Sequence, residues 1–321
     1  MKTERDDAPP MRGYKRKTIE KIVRKKMNDW LWSIGHTVRE KDGFTVKEVV
    51  GDVDLADAVR EDYFLTGGAL ASMLMGEEPN DYDVYLRTPA IAARLAEHYI
   101  SQLPAANNAC VSDISVKSDE GDGRVYIFVR SAGIAGDGSD LSTYRYFEYG
   151  PSNGAAFIDD VVAAEDKGRY GVAYMTTNAV TLTDGVQIII RFVGEPENVH
   201  SYFDYAHCTA WFTEEGGLQV PMEALEALRT RELRYQGSLY PVCAMFRMRK
   251  FIKRGWSITA GEMLKIAWDI SKLDLSDIET LRDQLVGVDS AYFRELLKIM
   301  EREGRPVDRS YLVELVERVF G

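Results

Sequence analysis

The segment from Phe64 to Thr88, FLTGGALASMLMGEEPNDYDVYLRT, constrains the fold most, because its pattern changes three times over a short span. The apolar run before Thr66 predicts a strand, and the following Gly-Gly pair predicts a turn. ALASMLMG then predicts a short helix, and DYDVYLR predicts a second strand. The segment therefore predicts a strand, turn, helix and strand in immediate succession.

The second strand carries two carboxylates, Asp81 and Asp83, with one residue between them. Alternate residues of a strand point to the same face, so the two side chains lie side by side, while Tyr82 and Val84 face the other way. Neighbouring like charges repel, and a metal ion would compensate them. Carboxylate oxygens suit Mg²⁺ or Mn²⁺, which also keep positions for water or substrate phosphates.

The Gly67-Gly68 pair provides backbone that a ligand can approach without interference from a Cβ atom. It also begins the predicted helix, whose N-terminal amides and dipole favour phosphate. A phosphate cradle beside a dicarboxylate metal site is typical of phosphoryl or nucleotidyl transfer. Taken singly, the glycines could form a plain turn and the aspartates a solvated strand face. The order of the elements favours the metal site.

The charge of the chain argues against a general nucleic-acid coat, because its formal net charge is −11 and its pI is near 5.0. Two local segments are nevertheless basic, Arg12–Lys26 and Arg247–Trp256. The first is either a solvated helix face or an RNA contact.

The three cysteines of the chain lie far apart and form no C-x-x-C pair, which favours neither disulfides nor a zinc knuckle. No apolar run is long enough to span a bilayer, and the charged first residues are unlike a signal peptide. We therefore expect a protein of a reducing cytoplasm, without a membrane partner.

The pattern along the chain predicts two domains after a flexible tail at residues 1–16. Residues 17–220 form an α+β domain with a mixed sheet, in which 111–174 are a possible insertion. This domain includes a helix over 17–34, a hairpin over 179–194 that turns at Asp184-Gly185, and an apolar strand over 203–212. Helical periodicity dominates from residue 221 to 321, and predicts an all-helical C-terminal domain.

Leu65-Thr66-Gly67-Gly68, followed by Asp81 and Asp83 around Tyr82, resembles the signature of the nucleotidyltransferase superfamily of DNA polymerase β, poly(A) polymerases and CCA-adding enzymes. The amino-acid sequence of the segment is similar to that of nucleotidyltransferase-like proteins of tailed bacteriophages. The resemblance to the phage proteins extends over most of the chain, whereas the resemblance to the wider superfamily covers only the N-terminal core. Together they imply a polymerase β-like head followed by helices.

The resemblance implies a third carboxylate on a neighbouring strand. Asp204 is the first choice, because it lies among apolar residues on a predicted core strand, where an unpaired charge is costly. CCA-adding enzymes often place this acid on a strand that ends in arginine, and the comparable residue here is Gln187, which suggests a degenerate site. The other acids considered are Asp113, Asp159 and Asp160.

Several basic residues are candidates for binding a nucleotide. Arg191 ends the predicted central strand, and is either a triphosphate contact or a surface charge. Arg247 and Lys250 lie in a segment that resembles the helix after the catalytic head in CCA-adding enzymes; a basic outer helix face is the alternative. Arg87 is a further phosphate candidate or a solvated arginine. His207 and Cys208 have no partners at metal-ligand spacing, which favours core packing.

The resemblance implies a Mg²⁺- or Mn²⁺-dependent nucleotidyltransferase that uses Asp81, Asp83 and Asp204. It would transfer a nucleotide from an NTP to an acceptor hydroxyl, with an RNA or tRNA 3′ end as the expected acceptor, and release pyrophosphate. The alternatives are a catalytically weak nucleotide- or RNA-binding module and a phage–host interaction protein that keeps the fold. A phage-encoded protein of this kind would act in the host cytoplasm. The sequence specifies neither the base nor the oligomeric state.

Overall fold

The computed structural model describes residues 13–39, 46–103, 114–118, 125–129, 168–175, 178–277, 280, 284, 299, 303 and 308–320. The predictions for Asp113, Asp159 and Asp160, for most of the tail and for the middle of the possible insertion lie outside these residues. Two compact units are present among the described residues. The first takes them from Met1–Arg130, Phe157–Val199 and His207–Thr230, and the second from His200–Ala206 and Arg231–Gly321.

The helices and strands follow one another along the chain as α1 (Arg16–Ile34), β1 (Gly35–Arg39), β2 (Val46–Gly51), α2 (Val53–Asp62), β3 (Tyr63–Thr66), α3 (Gly68–Met75), β4 (Tyr82–Leu86), α4 (Pro89–Ser101), β5 (Ile114–Ser118), β6 (Val125–Val129), β7 (Val172–Met175), β8 (Ala179–Leu182), β9 (Val186–Val193), α5 (Pro196–His200), β10 (Trp211–Thr213), β11 (Gly217–Gln219), α6 (Met222–Thr230), β12 (Glu232–Leu233), α7 (Pro241–Lys253), β13 (Ser257–Ile258), α8 (Ala260–Ile270) and α9 (Arg309–Phe320).

A seven-stranded sheet forms the centre of the first unit, in the order β11-β10-β3-β4-β9-β8-β7. Strands β4 and β9 run parallel, whereas the other neighbouring pairs are antiparallel. The sheet is therefore mixed, and the fold is α+β, as the sequence predicts. The hairpin over 179–194 is also confirmed, with β8 and β9 joined by a 3₁₀ turn at Thr183–Gly185.

One register row of this sheet is apolar from edge to edge and faces the core. Each of its residues is at most 2 % exposed, and they are Leu218, Phe212, Leu65, Val84, Ile188, Val180 and Met175. The adjacent row points to the opposite face because side chains alternate along a strand. That row, called here the polar row, consists of Gln219, Trp211, Thr66, Asp83, Gln187 and Thr181.

Helices α1 and α4 contribute to the core together with the apolar row. Apolar side chains at helical spacing put one face of α1 into this core, as its periodicity predicts. Trp30 of α1 donates a hydrogen bond from Nε1 to the hydroxyl oxygen of Tyr99 in α4, at 2.8 Å. This bond satisfies the indole inside an otherwise apolar layer. The core thereby supports the sheet from the side opposite to the polar row.

Two expectations about the second half of the chain are wrong. Residues 203–212 do not form a strand: Tyr205 makes an isolated bridge with Tyr235, a 3₁₀ turn follows at Ala206–Cys208, and β10 begins only at Trp211. The apolar composition of this segment reflects burial in a turn. The predicted domain over residues 221–321 is also not all-helical, because β12 pairs in parallel with β13.

Candidate metal and nucleotide site

The predicted strand, glycine turn, helix and strand are formed by β3, α3 and β4. Antiparallel pairing places Thr66, at the end of β3, opposite Asp83 in β4. Thr66 donates a hydrogen bond from Oγ1 to the carbonyl of Ala210 at 2.8 Å, and the amide of Gly67 donates to the carbonyl of Cys208 at 3.1 Å. These bonds fix the backbone where it leaves the sheet and enters α3.

Gly67 packs directly against the carboxylate of Asp83. A Cβ atom built on Gly67 would lie 2.9 Å from Oδ2 of Asp83, closer than real Cβ atoms come to a neighbour. The φ angle of Gly67 is +92°, which L side chains rarely adopt. Position 67 therefore requires glycine for two independent reasons, one of them being the carboxylate itself.

Gly68 has a different environment. It is exposed, and a Cβ atom built on it would meet nothing within 4 Å. The helix that begins here, α3, has no side-chain hydrogen bond at its N-terminal cap. The first amides of a helix have no partner within the helix, so they are available to an anion that enters this space. The backbone at Gly68 is therefore open on this side.

The two aspartates differ in exposure. Asp81 is exposed and comes immediately before β4, whereas Asp83 is half-buried within the strand. Burial, and secondly the negative charge of Asp81, raise the pKa of Asp83 to about 7. In the part of the chain that the structure describes, no donor forms a hydrogen bond to the Asp83 carboxylate. Burial thus disfavours the ionised form of Asp83, and no described residue donates a hydrogen bond to compensate its charge.

Gly185 in the β8–β9 turn is a residue of this site that sequence reasoning missed. Its φ angle is +70°, and a Cβ atom there would lie 2.9 Å from the carbonyl oxygen of Asn80 and 3.9 Å from Oδ1 of Asp81. The turn therefore packs against the backbone that presents Asp81. The Asp-Gly pair predicts the turn, but the sequence carries no signal for the neighbouring loop that it contacts.

Lys26 of α1 fixes the same turn from the other side. Its Nζ donates to the carbonyl of Asp184. It also lies 5.4 Å from the ring centre of Tyr82 and 5.3 Å from that of Tyr170. Burial lowers the pKa of Lys26, while the charge of Asp184 acts in the opposite direction. In this arrangement the basic segment at the start of the chain supports the backbone around Asp81.

Gln187 lies beside Asp83 in the sheet. The parallel pairing of β4 with β9 puts the two residues in register, so their side chains share the polar row. Gln187 is half-buried and neutral. Gln187, the residue that the sequence compares with an acid on a neighbouring strand, is therefore a neutral neighbour of Asp83 in the sheet.

Asp204 belongs to the second unit and has its own partners there. It is 7 % exposed, accepts a hydrogen bond from Oγ of Ser238 at 2.6 Å, and forms an ion pair with Arg247. These contacts compensate the buried charge, so the reason for assigning a metal to Asp204 no longer applies. Its role as a third ligand stays a prediction.

The three predicted basic nucleotide contacts lie in two elements, β9 and α7. Arg191 is inside β9, which continues to Val193, and it is only 7 % exposed; the expectation that it ends the strand is wrong. Arg247 lies on α7 with its guanidinium paired to Asp204, and Lys250 on the same helix is exposed. A nucleotide role for these three residues stays a prediction.

The other residues considered have structural contacts. Arg87 donates to the carbonyl of Asp62 at 3.1 Å and to Glu195 at 3.1 Å, so it ties the end of β4 to its surroundings. His207 is 1 % exposed, and the carbonyl of Cys208 is the acceptor of the Gly67 amide. Arg87 and His207 thus contribute to packing through their side chains, and Cys208 contributes through its backbone carbonyl.

Across the residues that the structure describes, no group of three or more histidine, cysteine, aspartate or glutamate side chains is arranged to hold a metal ion. Likewise, the described helices include none with the length and hydropathy required to cross a bilayer. The site thus consists of one carboxylate pair, a buried glycine and an uncapped helix start.

The fold and this site define the chain as an α+β protein with two carboxylates beside a glycine-led helix. The sequence model of the Gabija anti-defense 2 family matches residues 35–231, more than half of the chain, and the chain belongs to this family. No curated protein matches it in sequence.

The chain is also similar to solved CCA-adding enzymes. The enzyme from Thermotoga maritima with tRNA is 11 % identical over 86 % of this chain and 53 % of its own, with a TM-score of 0.38. The Bacillus stearothermophilus enzyme with CTP is 13 % identical over 76 % and 49 %, with a TM-score of 0.36. A third, with ATP, is 10 % identical over 92 % and 55 %, with a TM-score of 0.39. The chain spans about half the length of these enzymes.

Proposed function

We propose that the first unit is a polymerase β-like nucleotidyltransferase head that binds an NTP and a divalent metal ion, and transfers the nucleotide to an acceptor hydroxyl. The observation that carries this proposal is the carboxylate of Asp83. It is half-buried without a described hydrogen-bond donor, and lies against the backbone of Gly67, next to the uncapped start of α3. A cation and a phosphate supply what these two features lack.

The residues present fit a hard divalent cation. Asp81 and Asp83 supply two carboxylate groups, the kind of ligand that such a cation prefers, and no described donor forms a hydrogen bond to the carboxylate of Asp83. These two aspartates would hold Mg²⁺ or Mn²⁺. Bound there, the metal ion would offset the negative charge of a triphosphate and lower the pKa of a coordinated hydroxyl.

The glycine pair would position the nucleotide. The first amides of α3 bind phosphate oxygens, and the open space at Gly68 lets the phosphates approach the backbone closely. An acceptor hydroxyl would release its proton to water and attack the α-phosphorus, the bond from that phosphorus to the oxygen of the β-phosphate would break, and pyrophosphate would leave with that oxygen. Arg191, Arg247 and Lys250 remain proposed nucleotide contacts, and Asp204 a proposed third acid, on sequence grounds alone.

An RNA or tRNA 3′ end is the proposed acceptor. Helix α1 presents Lys17, Lys21 and Lys25 to solvent, and their spacing of four residues puts them on one face. A local basic face offsets the acidic character of the whole chain where an RNA strand would bind. In the host cytoplasm, the transfer would serve the anti-defence role that the family name gives.

The experiment that tests the proposal is incubation of the purified chain with each α-labelled NTP, Mg²⁺ or Mn²⁺, and a mixed pool of RNA and protein. Metal-dependent label in RNA, lost in Asp81→Asn and kept in Asp54→Asn, which changes an exposed carboxylate of α2 outside the site, supports the proposed reaction and acceptor. Label in protein corrects the acceptor class only. Absence of label from every pool, with folded protein and both metals, contradicts transfer.

A second candidate function is direct binding of a host defence protein. Helix α8 exposes Leu264 (68 %) and Trp268 (66 %) beside a cavity of about 450 Å³, whose lining also includes Tyr235 and Asp269. Large exposed apolar side chains of this kind favour a protein contact. Phage growth on cells that carry the Gabija defence separates the two functions: loss in Trp268→Ala but not in Asp81→Asn favours binding.

A further inference from the structure

Gln187 has a position that bears on how many metal ions the site can hold, and the inference drawn from it rests on the proposed function. It is in register with Asp83 on the adjacent parallel strand. Neighbouring strands are about 4.8 Å apart, and registered residues point to the same face. The side chain of residue 187 is therefore the nearest neighbour of Asp83 on the β9 side of the polar row.

On the β3 side, the neighbour of Asp83 in the same row is Thr66, whose hydroxyl donates to the carbonyl of Ala210. Both neighbours of Asp83 are thus neutral. Among the described residues, no third histidine, cysteine, aspartate or glutamate is grouped with Asp81 and Asp83, and the carboxylate of Asp204 is paired with Arg247.

Charge balance limits what this arrangement can bind. Two carboxylates offset one divalent cation, and a second cation nearby would be repelled by the first without a further anion. The side-chain amide of Gln187 offers a neutral oxygen and an N–H group that repels cations, so it does not replace a carboxylate. A triphosphate would bring the missing negative charge.

We propose that Gln187 holds this site at one divalent metal ion in the absence of nucleotide. A second ion then enters only together with the phosphates of an NTP. Gln187 is thereby a residue that determines metal stoichiometry, and it makes metal loading dependent on the nucleotide.

Titration of the purified full chain with Mn²⁺ alone tests this inference. The sharp six-line signal in electron paramagnetic resonance spectra comes from free Mn²⁺, so its intensity gives the number of ions bound per chain. The wild type is expected to bind one Mn²⁺ per chain. Gln187→Glu changes the charge and hardly the shape, and is expected to bind two. Thr181→Glu is the matched control: it adds the same charge in the same row, one strand farther from Asp83, and is expected to bind one.

Two Mn²⁺ per wild-type chain, or one in a folded Gln187→Glu variant, overturns the inference but leaves the metal site in place. Binding that is absent from the wild type overturns both the inference and the proposed function. The wild-type stoichiometry decides between one and two ions even where the glutamate variant fails to fold. Addition of a non-hydrolysable NTP analogue should raise the wild-type value from one to two; an unchanged value of one contradicts the role assigned to the phosphates.

Discussion

Replacement of Asp83 by asparagine should stabilise the protein at alkaline pH, although it removes a residue of the proposed site. The carboxylate of Asp83 is half-buried beside Asp81, and its pKa is raised to about 7. A raised pKa means that the folded state holds the proton more tightly than the unfolded state. The stability from this group is therefore present at low pH and is lost as the pH rises toward 7.

The magnitude follows from the two pKa values. The difference between the usual value of 3.8 and about 7 corresponds to about 4 kcal/mol in the free energy of unfolding, of which roughly 2–3 kcal/mol is lost between pH 5 and pH 8. Asparagine does not titrate and avoids this loss. The variant should consequently gain stability relative to the wild type by this amount over the same pH range.

Urea denaturation of both proteins at pH 5 and pH 8, without divalent metal, measures this difference. Mg²⁺ at about 100 times its Kd should stabilise the wild type at pH 8 by about 2.7 kcal/mol, and the variant much less. Asp54→Asn provides a control at an exposed carboxylate in the first turn of α2. An equal pH dependence of the wild type and Asp83→Asn would refute the conclusion that Asp83 carries an uncompensated charge.

Further substitutions test other contacts of the account. Gly67→Ala should lower the free energy of unfolding by about 1–3 kcal/mol, because of the positive φ at this position and its contact with Asp83. Gly68→Ala should lower it by less than about 1 kcal/mol. Chemical denaturation compares the two variants, and equal losses would contradict the packing described. Arg247→Met should destabilise the second unit by about 1–3 kcal/mol, since Asp204 loses its cation, and Asp204→Asn in that background should recover part of the loss. The cycle of denaturation midpoints measures this coupling, and additive effects would show that the ion pair contributes nothing.

Local sequence patterns predict the segment around the site well. The strand, glycine turn, helix and strand from Phe64 to Thr88 depend on residues close in the chain, and the structure forms all four. The same is true of the hairpin at Asp184-Gly185. In both cases turn residues and hydrophobic periodicity act within a few positions, so no long-range contact is needed to specify them.

Contacts between distant parts of the chain are not predictable in this way. The apolar neighbours of Asp204 predict a strand, but the segment is a turn, and the charge of Asp204 is paired with Arg247 from a helix far along the chain. The packing of Gly185 against Asn80 also depends on how β4 and β9 align. Amino-acid patterns specify which residues become buried, but not which partners will meet them.

In the proposed site, Asp81 and Asp83 bind a nucleoside triphosphate through a divalent metal ion. Calorimetric titration with a non-hydrolysable NTP analogue, with and without Mg²⁺, tests it most directly in the wild type and in Asp81→Asn. We expect Mg²⁺-dependent binding to the wild type and loss of that dependence in the variant, with the fold retained. Equal affinities in both proteins, or binding that Mg²⁺ does not change, would contradict it.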